Sequence, residues 1–242
     1  MSIGIVVALP EELSTLTTKR LAKGYIESLA DNILVVYSGA GAEHAYAAAE
    51  LLVKQGATCL FSWGCAAALI SAFQPGDLVL ANRCVDANQK QIGLSSDDDL
   101  LHIKQGLLKY LSVPIHIGKL AESKHIVASS VEKAQIAAAT GVIALDMESA
   151  AIAKVAELHG IPFLAVRAIA DPLDMNLPKA VSYALNNQGE VVLSKLIAYL
   201  LGHPAELPGL IKLGLHFHRA KKTLKRVAAE LDKIIPSLKV VA

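Results

Sequence analysis

The sequence predicts an α/β fold: a single domain on a mixed central β-sheet flanked by helices, with an amphipathic helix at the C-terminal end. Three observations carry this. First, residues 142–171 read as strand, helix, strand. Val142-Ile143-Ala144-Leu145-Asp146-Met147 is an apolar, β-prone run, and residues 161–171 form another. Between them Ala150, Ile152, Ala153, Val155, Ala156 and Leu158 are apolar, Lys154 and Glu157 are polar, and Gly160 and Pro162 stop the helix. Parallel strands need such a crossover. Second, residues 25–29 and 33–37 flank Asp31-Asn32 as a hairpin would, which adds antiparallel pairing. Third, Leu210, Leu213, Phe217, Ala220, Leu224, Val227, Leu231 and Ile234 recur at alternating spacings of three and four, the apolar stripe of a helix.

Composition agrees. The chain has 242 residues, 53% of them hydrophobic, enough for one large core. A net charge of +1 argues against nucleic acid as a partner. The apolar runs are too short to span a bilayer. The start, Met1-Ser2-Ile3-Gly4-Ile5, has no basic leader and reads as a first strand, which predicts a cytoplasmic protein. Cys59, Cys65 and Cys84 form no CxxC pair, so no structural zinc and no disulfide are expected.

In chain order, residues 3–9 are an apolar run typical of a strand buried on both faces. Pro10 suits the first position of a helix, and Glu11 and Glu12 in that turn would ordinarily offset its dipole. After the hairpin, Ser38-Gly39-Ala40-Gly41-Ala42 opens a helix that runs to Lys54 and ends at Gly56. A glycine-rich strand-to-helix turn can present backbone N–H groups to an anion. It is not a dinucleotide fingerprint, because His44 occupies the third glycine position and no acid ends the next strand, residues 59–63. Gly64-Cys65-Ala66-Ala67-Ala68 then serves either tight backbone packing or close approach to a ligand. A turn at Pro75-Gly76-Asp77 leads to a strand at 78–85, a polar loop at 88–99, a helix at 99–111, a strand at 115–121 and a helix at 130–139. Residues 177–201 read as a long helix broken near 186–189.

The chain divides by character at residue 202. Residues 203–242 are basic: Lys212, Arg219, Lys221, Lys222, Lys225 and Arg226 surround the apolar stripe, and no acid lies between Glu206 and Glu230. Such a helix packs on its own domain, rests on an anionic membrane surface, or joins two subunits. His216 and His218, two apart on a helix, do not share a face and make a poor metal pair.

In open α/β sheets, ligands sit at the carboxyl ends of strands. Glu148 follows one strand of the central unit and Asp171 ends the other, so both carboxylates are expected at one crevice.

Six segments together resemble the nucleoside phosphorylase and nucleosidase superfamily. They are Ile3-Gly4-Ile5 with Glu11-Glu12, Ser38-Gly39-Ala40-Gly41, Trp63-Gly64-Cys65-Ala66, Gly76-Asp77-Leu78-Val79, Asp146-Met147-Glu148-Ser149-Ala150 and Val166-Arg167-Ala168-Ile169-Ala170-Asp171. The segments follow the superfamily's order and imply its three-layer phosphorylase/hydrolase-like fold. The match is similar to the methylthioadenosine and adenosylhomocysteine nucleosidase branch. The segment from Asp171 to Pro178, Leu207-Pro208-Gly209 and the basic tail are closer to the hopanoid-associated phosphorylase subgroup, linked to adenine release from adenosylhopane.

The resemblance implies roles. Breaking an N-glycosidic bond builds an oxocarbenium-like sugar and a negatively charged base. Asp171 matches the acid that protonates the departing purine. Glu148 matches the carboxylate on the ribose, with Met147 packed beside it, and Glu12 matches the group that activates water. This is the two-carboxylate logic of glycoside hydrolysis with another leaving group. Arg167 reads either as an orienting partner for a carboxylate or as a structural ion pair at a strand end. Gly64 and Cys65 would approach the substrate. His125, Ile126 and Val127 fall where relatives line the base pocket. Ser38, Gly39 and Gly41 would line a phosphate or nucleophile pocket.

No metal and no cofactor are implied, although phosphate is a candidate co-substrate. The phosphorylases place an Arg three residues before a Ser in the small-residue loop, where this chain has Ser62 and Cys65. That favours water as nucleophile over phosphorolysis. Ala170 stands where relatives carry Ser or Cys. No His neighbours Cys65 in sequence to activate it as a nucleophile. The expected partner is a small adenine nucleoside, with a lipid-linked one included, in a homo-oligomer. Methylthioadenosine or adenosylhomocysteine hydrolysis is the alternative within the class. A non-catalytic nucleoside-binding or scaffold protein is the alternative outside it, and retention of Glu12, Glu148 and Asp171 together speaks against that.

Overall fold

A computed structural model describes residues 2–86, 88–93, 97–184 and 192–231. In chain order these form β1 (Ile3–Val7), α1 (Pro10–Leu13), β2 (Ile26–Ala30), β3 (Ile33–Tyr37), α2 (Ala42–Lys54) and β4 (Cys59–Ala68). Then come β5 (Leu78–Ala81), β6 (Cys84–Val85), β7 (Gln91–Ile92), α3 (Asp97–Leu108), β8 (Ile115–Ile117), β9 (Leu120–Glu122) and α4 (Ser130–Thr140). The chain continues through β10 (Ala144–Asp146), α5 (Ser149–Leu158), β11 (Phe163–Asp171), α6 (Lys179–Ala184), α7 (Leu193–Gly202) and α8 (Leu207–Ala228).

All the described strands join one mixed sheet. β1 lies parallel between β3 and β4, and β11 runs parallel to β4 along its other edge. The β2–β3 hairpin is antiparallel, as is the pairing of β5 with β11. One face carries Ile5, Phe61, Trp63, Leu164 and Val166 against α1, α3 and α8. The other carries Val6, Leu60, Phe163 and Ala165 against the alanine faces of α2 and α5. This is the expected three-layer arrangement.

β4 is longer than expected. The small residues after Trp63 continue the strand instead of turning it, so β4 meets β1 in its first half and β10 in its second. The strand-helix-strand unit is therefore not a parallel pair. Leu145 and Asp171 both pair with Ala67, so β10 and β11 flank β4 on opposite edges, β10 antiparallel to it. Breaks at 82–83 and 118–119 split two other expected strands, and β7 lies in the segment read as loop. The expected helix break near 186–189 lies outside the described residues.

The α8 stripe settles on the sheet. Ala220, Leu224, Val227 and Leu231 are buried in the same cluster as Trp63 and Val166, and Thr223 Oγ1 donates to Gly76 O at 2.7 Å. The division at residue 202 is thus one of sequence character, since α8 completes a layer of the domain. No described helix is long and apolar enough to cross a membrane.

Candidate active site

Glu12 is where the site begins. Pro10 starts the one-turn helix α1, which places Glu12 at its third position, reaching back to the Leu9 N–H at 3.2 Å. Glu11 stays in solvent, whereas Glu12 is buried under β4 and accepts the Cys65 N–H at 2.7 Å. Gly64 makes room for this: a Cβ there would lie 2.6 Å from Glu12 Oε1. The close approach at Gly64 is therefore to the protein's own carboxylate. Burial pushes the Glu12 pKa up to about 7, against the opposing pull of Arg167 and the Cys65 N–H.

Arg167 lies mid-strand in β11, fully buried. Its Nε is 2.7 Å from Asp146 Oδ2, and its Nη2 donates to Ser62 Oγ and to Ser149 Oγ. Asp146 also caps the turn into α5, accepting from the backbone N–H of Glu148 and Ser149. Burial opposes the charge on Arg167, but Asp146, Glu148 and Glu12 outweigh it and hold its pKa above the ordinary value. Arg167 forms a buried ion pair with Asp146, mid-strand and not at the strand end, and its charge also draws down Glu12 and Glu148.

Glu148 is buried at the N-terminus of α5, accepting the Gly41 N–H at 2.9 Å. Gly41 sits at φ 99°, a conformation only glycine takes easily, and this aims its N–H at the carboxylate. Burial raises the Glu148 pKa; Arg167 counters it and Asp146 adds to it. An anion in the glycine turn would have to displace Glu148 from Gly41. Ser38 Oγ is likewise spent on Val7 O and Gly39 O. The glycine turn, expected as a phosphate pocket, thus has two of its donors committed within the protein.

Asp171 ends β11 beyond a bulge between Ile169 and Asp171, a device that re-aims side chains next to active sites. Lys133 of α4, wholly buried, donates from Nζ to Asp171 Oδ1 at 2.8 Å and to the carbonyls of Pro172 and Met175 at 2.7 Å each. Burial lifts the Asp171 carboxyl to about 6 in spite of Lys133. Asp171 faces Ala67 across the sheet, while Glu12 touches Cys65. The two acids therefore attach two residues apart on β4. Glu148 accepts from Gly41 and Asp171 from Lys133, so the two carboxylates have separate partners.

The remaining candidates divide. Met147 is half-buried beside Glu148. Cys65 contributes backbone: its N–H goes to Glu12 and its carbonyl to Arg167, and burial holds its thiol well above the ordinary value, unsuited to a nucleophile. His125 points into solvent and meets Glu132 at 3.1 Å. Val127 is packed in the core with Leu69 and Leu145, which leaves Ile126 half-buried. The base-pocket expectation for His125 and Val127 does not fit these positions. A surface cavity of about 410 Å³ opens beside the site, between the starts of α2 and α5, lined by Ala42, Tyr46, Ile92, Ala150 and Lys154 among others. It contains none of the candidate residues. Among the described residues, no three His, Cys, Asp or Glu side chains are grouped to hold a metal.

Buried carboxyls with pKa values near neutrality can exchange protons with a bound molecule. The model of the phosphorylase superfamily matches residues 2–200, which takes in Glu12, Glu148, Arg167 and Asp171. The chain belongs to the phosphorylase superfamily. It is similar to 5′-methylthioadenosine/S-adenosylhomocysteine nucleosidase from Staphylococcus carnosus, 23% identical over 226 residues, covering 80% of this chain and 98% of that one. Two solved structures share its fold. The Neisseria meningitidis enzyme of the same name, in complex with methylthio-immucillin-A, has a TM-score of 0.71 at 20% identity, covering 98% of this chain and 99% of that one. Futalosine hydrolase of Helicobacter pylori has 0.69 at 18%, covering 98% of each.

Within the superfamily segments, sequence reasoning passed over Asp146 and Ser149, although both stand in the quoted motif. It passed over Lys133 entirely. The sequence does hold one clue: Lys133 stands at helical spacing from the apolar Ile136 and Ala137, on the side of the helix expected to face inward.

Proposed function

We propose that the protein cleaves the N-glycosidic bond of an adenine nucleoside with water as nucleophile. Asp171 donates a proton to the purine, Glu148 with Met147 holds the ribose, and Glu12 takes the proton of the attacking water. The observation that carries this is the pair of buried carboxyls, Glu12 raised to about 7 and Asp171 to about 6, at the same end of β4, where Glu12 accepts the Cys65 N–H and Asp171 pairs with Ala67. The two-carboxyl division of labour is that of glycoside hydrolysis.

Water is favoured over phosphate by charge. The guanidinium of Arg167 is already neutralised by Asp146, and Glu12 and Glu148 would repel a phosphate. Adenine release from methylthioadenosine should therefore proceed in phosphate-free buffer and yield the free sugar. Release that requires phosphate and yields a sugar 1-phosphate would reverse this assignment.

For the natural substrate we propose adenosylhopane, on the resemblance of residues 171–178 and 207–209 to the hopanoid-associated subgroup. A polycyclic substrate resides in a bilayer, and the exposed face of α8 fits one. The buried stripe cannot enter a membrane, which corrects that form of the expectation. The opposite face reads Leu207, Ile211, Leu215, Arg219, Lys222, Arg226, all exposed, apolar in its first turns and basic in its last. Leu201 (83% exposed) and Ile197 of α7 are exposed apolar side chains as well. From 179 to 229 the sequence has eight Lys and Arg against two Glu. α8 also begins beside the acid's loop, since a Cβ on Gly209 would lie 3.1 Å from Pro178. Apolar side chains would enter the interface while the cations meet anionic headgroups, each worth about 1 kcal/mol. Vesicles with anionic lipid should sediment the protein at low salt, and salt should weaken this. Leu201→Glu with Ile211→Glu should abolish it while sparing turnover of methylthioadenosine. No sedimentation of the wild type would leave this face without a membrane role.

A further inference from the structure

We propose that Lys133 is a positioning residue for the acid: its buried ammonium holds Asp171 and the following loop in place and carries the counter-charge to the carboxylate left when Asp171 gives up its proton. This rests on the reading of Asp171 as the acid.

The geometry is specific. A lysine with no solvent exposure has exchanged water for three acceptors, and all three lie between Asp171 and Met175. An unpaired buried ammonium is strongly disfavoured, so Lys133 can be inside only while Asp171 and its loop hold it, and they in turn are held by it. The same loop is tied to the start of α4 twice more: Leu177 N–H donates to Ala128 O at 2.8 Å and Ser130 N–H to Asn176 Oδ1 at 2.8 Å. Lys133 is thus the central of three links that fix the acid to one helix end. It engages Oδ1, and no described residue donates to Oδ2, which leaves that oxygen to face a leaving base.

The proton balance follows. As the bond to the base breaks, its electron pair passes into the purine and the proton moves from the Asp171 carboxyl to a ring nitrogen. The carboxylate left behind is stabilised by the ammonium, so Lys133 makes Asp171 a stronger acid than burial alone allows. The other charged group facing Asp171 is Asp174, which opposes Lys133. Asp174 in turn faces His216 of α8, whose pKa is lowered first by burial and then by Lys212 and Arg219.

The test is Lys133→Met, which keeps length and removes charge. The Asp171 carboxyl, followed by ¹³C NMR and assigned by its loss in Asp171→Asn, should titrate near 6 in the wild type. It should titrate above about 7 in the variant, since an opposite charge at this distance shifts a carboxylate by about 1–3. In kcat/KM for adenine release, the fall at alkaline pH should move upward with it. A uniform loss at every pH with an unmoved Asp171 titration would overturn the proposal and leave Lys133 a packing residue. If Lys133→Met does not fold, Lys133→Gln, which keeps a donor without the charge, is read by the same two outcomes. A wild type that releases no adenine would sink the acid assignment, while the NMR titration would still report whether Lys133 sets Asp171.

Discussion

Asp171→Asn is expected to lower adenine release by about 10²–10⁴, the usual worth of a positioned acid. The amide has nearly the same shape and can still accept from Lys133 Nζ, and the carbonyls of Pro172 and Met175 remain as acceptors. The fold should survive, which circular dichroism would show. What is lost is the proton. The pH profile sharpens the test. Under the proposed mechanism Glu12 must be ionised and Asp171 protonated in the wild type. Their values of about 7 and about 6 lie in the inverted order, so only a minority of molecules carry both forms at once. kcat/KM should therefore peak between these values and fall on both sides. In Asp171→Asn the residual rate should no longer fall on the alkaline side, because no acid remains to be lost. Turnover near that of the wild type, or an unchanged alkaline fall, would remove Asp171 from the proton transfer.

What the sequence revealed and what it hid follow from how far each signal reaches along the chain. β1, α2, α5 and β11 were legible because each is a long run with one period, apolar throughout or apolar on one face. β6, β7, β8 and β9 were not, since strands of two or three residues are too short to show alternation. The extension of β4 was hidden because Gly64 and its alanine neighbours carry the composition of a turn. They form a strand here because Glu12 and Arg167 pass over Gly64 where no side chain stands in the way. Glu12, Glu148 and Asp171 were singled out through motif order, which does not depend on knowing which strands touch. The Asp146–Arg167 pair was missed because it depends on that knowledge: the two residues are brought together by β10 and β11 meeting β4 from opposite edges. Lys133 was missed for a related reason. A lysine in the first turns of a helix ordinarily lies in solvent, and only the loop after β11 gives it a reason to be inside.

The largest effect on stability is expected at Arg167. Arg167→Met should destabilise the protein by about 3–5 kcal/mol in denaturant unfolding, because removing one partner of a buried pair leaves the other charge uncompensated. Asp146 would lose its ion pair, Glu12 and Glu148 would lose the cation that draws them down, and Ser62 and Ser149 would lose a shared donor. Asp146→Asn in the same background should restore part of the loss, so the two changes together should cost less than their sum. The pH dependence identifies the cause. The folded-state pKa of Glu12 is raised from 4.5 to about 7, so the folded protein binds the proton more tightly than the unfolded chain. Its contribution is fully present below pH 4.5 and is lost as pH rises through about 7, a change on the order of 3 kcal/mol. Without Arg167 the carboxyls of Glu12 and Glu148 should rise further, and the decline should steepen and extend to higher pH. The variant should therefore lie closest to the wild type near pH 5 and farthest from it above pH 7. A loss of less than about 1 kcal/mol, the range of an exposed pair, or one independent of pH, would mean that Arg167 is not the counter-charge of this cluster.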